Sequence, residues 1–176
     1  MGRALIVSAG ASSNEYIAAR LTEMGYSRPV IIPSGAEARR RMTESDFELI
    51  VVNSPLPDEF GHEVCINAVE KTDAGVVFLV KAAQAEQLLG PLSDQGVLLL
   101  SKPFSTAFFV QAMHMAAAGN HRLVRLVSRA KCCLVEHEHM TEAEAHRYIE
   151  KQAMDTRRDR TEIAQEVLEN YEDMGV

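Results

Sequence analysis

Five short runs of buried-type residues, each followed by a stretch of helical character, leave few folds open to the first two thirds of this chain. The runs are 4–8, 30–32, 49–52, 76–80 and 97–100. They are dominated by Val, Ile and Leu without polar alternation, the pattern of strands covered on both faces. Helix candidates lie near 14–24, 36–44, 61–70, 85–89 and 106–118, with Gly25, Gly75 and Gly96 as punctuation. Strands alternating with helices predict an α/β domain with a five-stranded parallel, doubly wound sheet. In such a sheet the functional crevice lies at the carboxyl ends of the strands.

Two of those strand ends carry recognisable residues. The third runs into Asn53, Ser54, Pro55, Leu56, Pro57 and Gly61, and the fifth into Ser101, Lys102, Pro103 and Phe104. Together they resemble the receiver domain of bacterial response regulators, a flavodoxin-like (CheY-like) fold, over residues 1 to about 118. The resemblance implies a Lys-Pro bond that is commonly cis, a cheap way to turn a chain sharply.

The departures from that family carry the functional message. The resemblance implies a phosphoryl-accepting aspartate where this chain has Asn53, and an amide is no nucleophile for forming an acyl phosphate. It implies magnesium-holding acids where Ser8 and Ala9 stand, although magnesium wants anionic oxygen ligands. The hydroxyl expected after the fourth strand is Val80, and the aromatic switch residue is Leu99. Lys102 alone matches, and it is expected to hydrogen-bond Asn53 or a strand-end carbonyl. Residues 1–118 are therefore expected to be a pseudo-receiver that neither holds magnesium nor accepts phosphate, with a regulatory partner protein among the candidate inputs. Asp58 and Glu59, in the loop after Asn53, are candidate carboxylates but make no metal cage without further acids. Arg39, Arg40 and Arg41 read as a solvated helix face, and Phe108 and Phe109 as packing residues.

From 108 to 134 one helical pattern joins the two halves. Phe109, Met113, Ala116, Asn120, Leu123, Val127, Ala130 and Leu134 recur at alternating four- and three-residue steps, the seam of a coiled coil. The expectation is a long connecting helix and a homodimer seam made of Met113, Ala116, Asn120, Leu123, Val127, Ala130 and Leu134. A lone Asn at a seam position fixes register between two strands. The competing reading ends an ordinary last helix at Gly119 and Asn120.

Beyond the seam no strand signal appears. Thr141 and Glu144 form a capping box, with Met140 and Ala145 as its staple. Ala145, Ile149 and Ala153 make a buried stripe, while Arg147, Lys151 and Arg158 recur on another face. A third helix is expected from Asp159 or Thr161, with Asp159 and Glu162 as a second box and Ile163, Ala164, Val167 and Leu168 facing inward. Arg129, Ala130, Lys131, then Met140, Thr141, Glu142, Ala145, then Gln152, Ala153, Met154, Asp155, with Ile163 and Ala164, resemble the ANTAR module of transcription antitermination regulators. The match spans about 122–170 and leaves 171–176 as an acidic tail. The resemblance implies a three-helix module that binds RNA hairpins as a dimer and lets polymerase continue through a terminator. His146, Arg160 and Cys132 depart from the family pattern.

Charge supports that placement. The chain carries a net −7, yet residues 122–160 hold nine Lys or Arg against seven acids, while 161–176 hold five acids and no base. A local basic face in an acidic protein suits a nucleic-acid partner. Arg147, Lys151, Arg157 and Arg158 are the candidate phosphate contacts, with Lys131 also on the basic side. His146, Tyr148 and Arg160 are candidate base contacts, although Tyr148 adjoins the buried stripe. The alternative is a signalling adaptor whose helical head binds protein or DNA. No nucleophile-and-base pair, phosphate-cradling glycine loop or convincing ligand set suggests an enzyme, a metal or a cofactor. Cys65, Cys132 and Cys133 fit neither a disulfide framework nor spaced zinc pairs, and Cys133, Glu136, His137 and His139 are too loosely spaced for a persuasive metal site. No apolar run nears the roughly 20 residues that span a bilayer, and a leader pattern is lacking, so a cytoplasmic location without membrane contact is expected.

Overall fold

The computed structural model describes residues 2–118 and 120–172, and the side chains among them other than those of 120–125 and 172. The chain divides into two compact units, Met1–His121 and Arg122–Val176.

In the first unit β1 (Ala4–Val7), β2 (Val30–Ile32), β3 (Leu49–Asn53), β4 (Gly75–Lys81) and β5 (Val97–Lys102) form one sheet in the order β2-β1-β3-β4-β5. Every pairing is parallel, with Ile6 opposite Val51 and Val52 opposite Phe78. The connecting helices are α1 (Ala11–Glu23), α2 (Gly35–Glu44), α3 (His62–Lys71), α4 (Ala82–Asp94) and α5 (Thr106–Ala117). Side chains alternate across a strand, so the continuous apolar runs feed two cores. Leu5, Val7, Ile50, Val52, Val76 and Phe78 face one, with Val64 and Cys65 of α3. Ile6, Val51, Val77 and Leu79 face the other, with Ile17 and Leu21 of α1 and Phe109 and Met113 of α5. Gly75 is required here: a Cβ on it would lie 2.1 Å from the Ala116 carbonyl oxygen, so α5 rests directly on the start of β4. Gly61, the N-cap of α3, has φ 111 and is closed in by Phe78 and Val52, a combination only glycine meets without strain.

Helix α4 is longer than the expected 85–89 and holds Pro91 inside it. Proline removes one helical hydrogen bond, and here both Pro91 and Gln87, whose carbonyl loses its donor, are exposed to water.

The second unit consists of α6 (Asn120–His137), α7 (Glu142–Thr156) and α8 (Arg160–Glu172). The Thr141–Glu144 box forms as expected: Glu144 N–H donates to Thr141 Oγ1, and Thr141 N–H donates to Glu144 Oε2 at 2.7 Å. Asp159 accepts the Ile163 N–H through its carbonyl, but Glu162 turns to Arg158 rather than back to the cap. Ala130, Leu134, Ala145, Ile149, Ala153, Ile163, Ala164, Val167 and Leu168 close the core.

The long helix over 108–134 is not one element. Helix α5 stops at Ala117, and its C-cap Ala118 has ψ 1 with its N–H on the His114 carbonyl; α6 begins at Asn120. The seam is likewise divided. Met113 (0% exposed) and Ala116 are buried against the sheet, Ala130 and Leu134 inside the three-helix core, and Val127 packs against that core. The same four-three spacing serves a coiled-coil seam and any helix face turned to its own core. The side chains of Asn120 and Leu123, and residues 173–176 of the acidic tail, lie outside the described residues.

Candidate functional site

Two places hold the residues singled out above, one in each unit. At the carboxyl end of β3, Asn53 is half-buried beside the fully buried Ser8. The Asn53 amide donates to Ser8 Oγ at 3.1 Å. Lys102 donates to Asn53 Oδ1 at 2.9 Å and to the Ser54 carbonyl at 2.7 Å, so the amide and the strand-end carbonyl are both bound rather than one or the other. Burial, with a smaller contribution from the charge of Lys81, pulls the Lys102 ammonium below its usual pKa. The Lys102–Pro103 bond is cis, as is Ser54–Pro55.

This crevice does not suit magnesium. A hard divalent cation needs anionic oxygens, and the donors present are one hydroxyl, one amide and an ammonium already seated on the amide oxygen. Ala9 offers no side-chain oxygen, and Val80 is buried in the core. The nearby loop acids are committed elsewhere. Asp58 accepts from the Gly35 and Ala36 N–H groups at 2.9 and 3.0 Å, capping α2. Those two N–H bonds, Gly35's first, hold its carboxyl below the ordinary range. Glu59 takes a two-pronged ion pair from Arg39, with Nη2 to Oε2 at 2.8 Å, and Arg39 also donates to Asn67. Arg39 is thus a clamp between α2 and the loop after β3, not part of a solvated face. Its signal was hidden because its partners lie 20 and 28 residues away.

Phe108 and Phe109 part company. Phe109 is fully buried and stacks on Phe104 with centroids 5.3 Å apart. Phe108 is 57% exposed and lines a groove with Leu89, Leu99 and Phe104, contrary to its expected packing role.

In the second unit α7 presents Arg147, Lys151 and Met154 at positions i, i+4 and i+7, all exposed, on the side away from buried Ala145, Ile149 and Ala153. Arg157, also exposed, is the C-cap of α7 in the left-handed region at φ 54. Among the described residues, Arg147, Lys151 and Arg157 enter no salt bridge. The other candidates do. Arg158 bonds Glu162 and Glu166, Arg160 lies 3.5 Å and His146 3.2 Å from Glu150, and Lys131 reaches Glu142 at 3.4 Å. Exposed pairs of this kind are weak, about 0–1 kcal/mol, so they order the face without sealing it. Tyr148 is 39% exposed at the border of the core. Met154, named from the sequence only within the ANTAR resemblance and not as a contact, shares this face; its spacing from Arg147 and Lys151 was the available signal. Among the described residues no group of three His, Cys, Asp or Glu side chains is placed to hold a metal ion, and no helix is long and apolar enough to cross a membrane.

The ANTAR domain model matches residues 116–168. Over 184 aligned positions the chain is 27% identical to the transcriptional regulatory protein PdtaR of Mycobacterium tuberculosis H37Rv, covering 95% of this chain and 89% of that one. The first unit is similar to the beryllofluoride-activated NtrC4 receiver domain dimer (26% identity, TM-score 0.60, 67% of this chain and 98% of that one). It shares its fold with the receiver domain of the sensor histidine kinase PA1611 from Pseudomonas aeruginosa PAO1, solved with magnesium in its cleft (20% identity, TM-score 0.55, 66% and 98% covered). The chain thus contains an ANTAR domain and is similar, over nearly its whole length, to a transcriptional regulatory protein, and its first unit has the receiver fold. The crevice at the end of β3 has its polar groups joined to one another, whereas Arg147, Lys151 and Arg157 of the second unit are exposed and enter no salt bridge among the described residues.

Proposed function

We propose that this regulator binds RNA hairpins through the outer face of α7 and, as a homodimer, stabilises antiterminator hairpins in nascent transcripts, with no phosphoryl input at its receiver. The observation that carries the reading is the set Arg147, Lys151 and Arg157: three exposed cations without salt-bridge partners among the described residues of a chain whose net charge is −7. Phosphates of a hairpin loop are closely spaced, and Lys or Arg contacts to them supply affinity and orientation. The capping box at Thr141 and the buried Ile149 stripe support α7 as a formed helix, so its backbone need not fold on binding. Two heads on one dimer raise the effective concentration of the second contact, so weak single contacts suffice on paired hairpins.

Phosphorylation independence is supported by the crevice itself. Asn53 is no acceptor, its amide is held by Ser8 and Lys102, and Asp58 is engaged on α2.

The deciding experiment measures binding of the full chain to stem-loop RNA and to duplex DNA across a salt series. Binding to the stem-loop should weaken with a slope of about −0.7 in log affinity per phosphate contact. Salt-independent binding, or a preference for duplex DNA, would sink the reading. Sedimentation at micromolar concentration tests the dimer, and a terminator-readthrough assay with paired hairpins upstream tests the consequence.

A further inference from the structure

The outer face of α7 holds one side chain that its cations do not account for. Met154 is 78% exposed, the most exposed large apolar side chain among the described residues. It stands three positions after Lys151 and seven after Arg147, which puts it on their face. It is not an overflow of the core stripe, since Ala145, Ile149 and Ala153 point the opposite way and are buried. Folding gains nothing from an apolar group left in water. Single exposed apolar residues are common, but this one sits between cations that enter no salt bridge among the described residues: Arg147 and Lys151 before it and Arg157 at the helix end.

We propose that Met154 is a base-contacting residue: its thioether packs on an unstacked base of an RNA loop whose phosphates are held by Arg147 and Lys151. The proposal rests on the RNA-binding reading above. A methionine side chain is flexible and polarizable and packs well on aromatic faces. Bases splayed out of a hairpin loop offer such faces, and each base buried there leaves water together with the methionine surface. The face thus separates two tasks, with cations for the backbone and a soft apolar tip for the base. Cations alone would bind loops of any sequence; the methionine adds a contact that depends on which base is presented and how readily it unstacks.

The test uses the full chain and a panel of stem-loop RNAs that share one stem and differ in loop sequence, with a fully paired RNA of equal length as control. Met154→Ala is expected to lower affinity for the best-bound loop about two- to tenfold, the size of a sulfur–aromatic contact. It should narrow the spread of affinities across loops and leave the salt slope unchanged, with Met154→Leu retaining more affinity than Met154→Ala. Because Met154 is exposed, the melting temperature serves as the folding control. Wild-type affinities for every loop in Met154→Ala, or an equal loss on loops and on paired RNA, would overturn the proposal. So would a loss that accompanies dissociation of a dimer in sedimentation, which would assign Met154 to a contact between copies. Failure of the wild type to bind any stem-loop overturns the RNA-binding reading and this proposal together, whereas salt-dependent wild-type binding with an indifferent Met154→Ala overturns this proposal alone.

Discussion

The crevice at the end of β3 and the outer face of α7 are both polar, yet their side chains are used in opposite ways. In the crevice Ser8, Asn53, Lys102 and the Ser54 carbonyl bond to each other, and Asp58 and Glu59 are committed to α2. On α7, Arg147 and Lys151 are exposed with no salt bridge among the described residues. A polar cluster that satisfies itself stabilises its own fold and has little left for a ligand. Cations left in water contribute little to folding and are available to an anion. Under the proposed reading the first unit is a scaffold at the carboxyl end of β3, and the outer face of α7 is the part that meets a partner.

The largest expected effect tests the α7 side of this contrast. Arg147→Ala combined with Lys151→Ala should weaken stem-loop RNA binding at least tenfold at about 0.1 M salt and lower the salt slope by about 1.4, two contacts at 0.7 each. Unchanged affinity by gel shift would remove the face from the account. Next comes the crevice. Lys102→Ala strips donors from Asn53 Oδ1 and the Ser54 carbonyl and should cost about 1–2 kcal/mol in urea unfolding. Lys151→Ala, exposed on α7, should change stability by less than about 0.5 kcal/mol. Equal losses from the two lysines would erase the distinction.

A smaller effect concerns acid. The Asp58 carboxyl is held below its ordinary pKa by the Gly35 and Ala36 N–H groups. Its stabilising contribution is present above the unfolded value, about 3.9, and is lost as pH falls through the lowered native value. Wild-type melting should decline below about pH 4, and Asp58→Asn should decline less steeply in that window. A steeper decline in the variant would refute the capping role. The smallest expected effect is none. Wild type and Asn53→Asp, each incubated with acetyl phosphate and magnesium, should show no added phosphate by intact mass, because Ser8 and Ala9 supply no carboxylate for the metal. A phosphate gained by Asn53→Asp would show that the crevice lacks only its acceptor.

Much of the architecture could be read from local pattern. The five apolar runs became the five strands, and Thr141 and Glu144, three residues apart, formed their box, because these features depend on neighbours in sequence. That an amide such as Asn53 cannot form an acyl phosphate is likewise a matter of residue chemistry, independent of how the chain folds. The apolar row from Phe109 to Leu134 was different. Its spacing is equally good for a seam between two chains and for two faces turned inward, and packing settled Met113 and Ala116 on the sheet and Ala130 and Leu134 in the helical core.

The same division runs through the charges. Counting residues located the basic stretch of 122–160, but not which cations within it were already spoken for. Glu162 and Glu166 took Arg158 and Glu150 took Arg160, while Arg147 and Lys151 enter no salt bridge among the described residues. An amino-acid sequence states which groups carry charge and which prefer to leave water, since those are properties of the residue. Which charges meet, and which apolar group is left outside as Met154 is, depends on distances between residues far apart in the chain, and those exist only once the chain has folded.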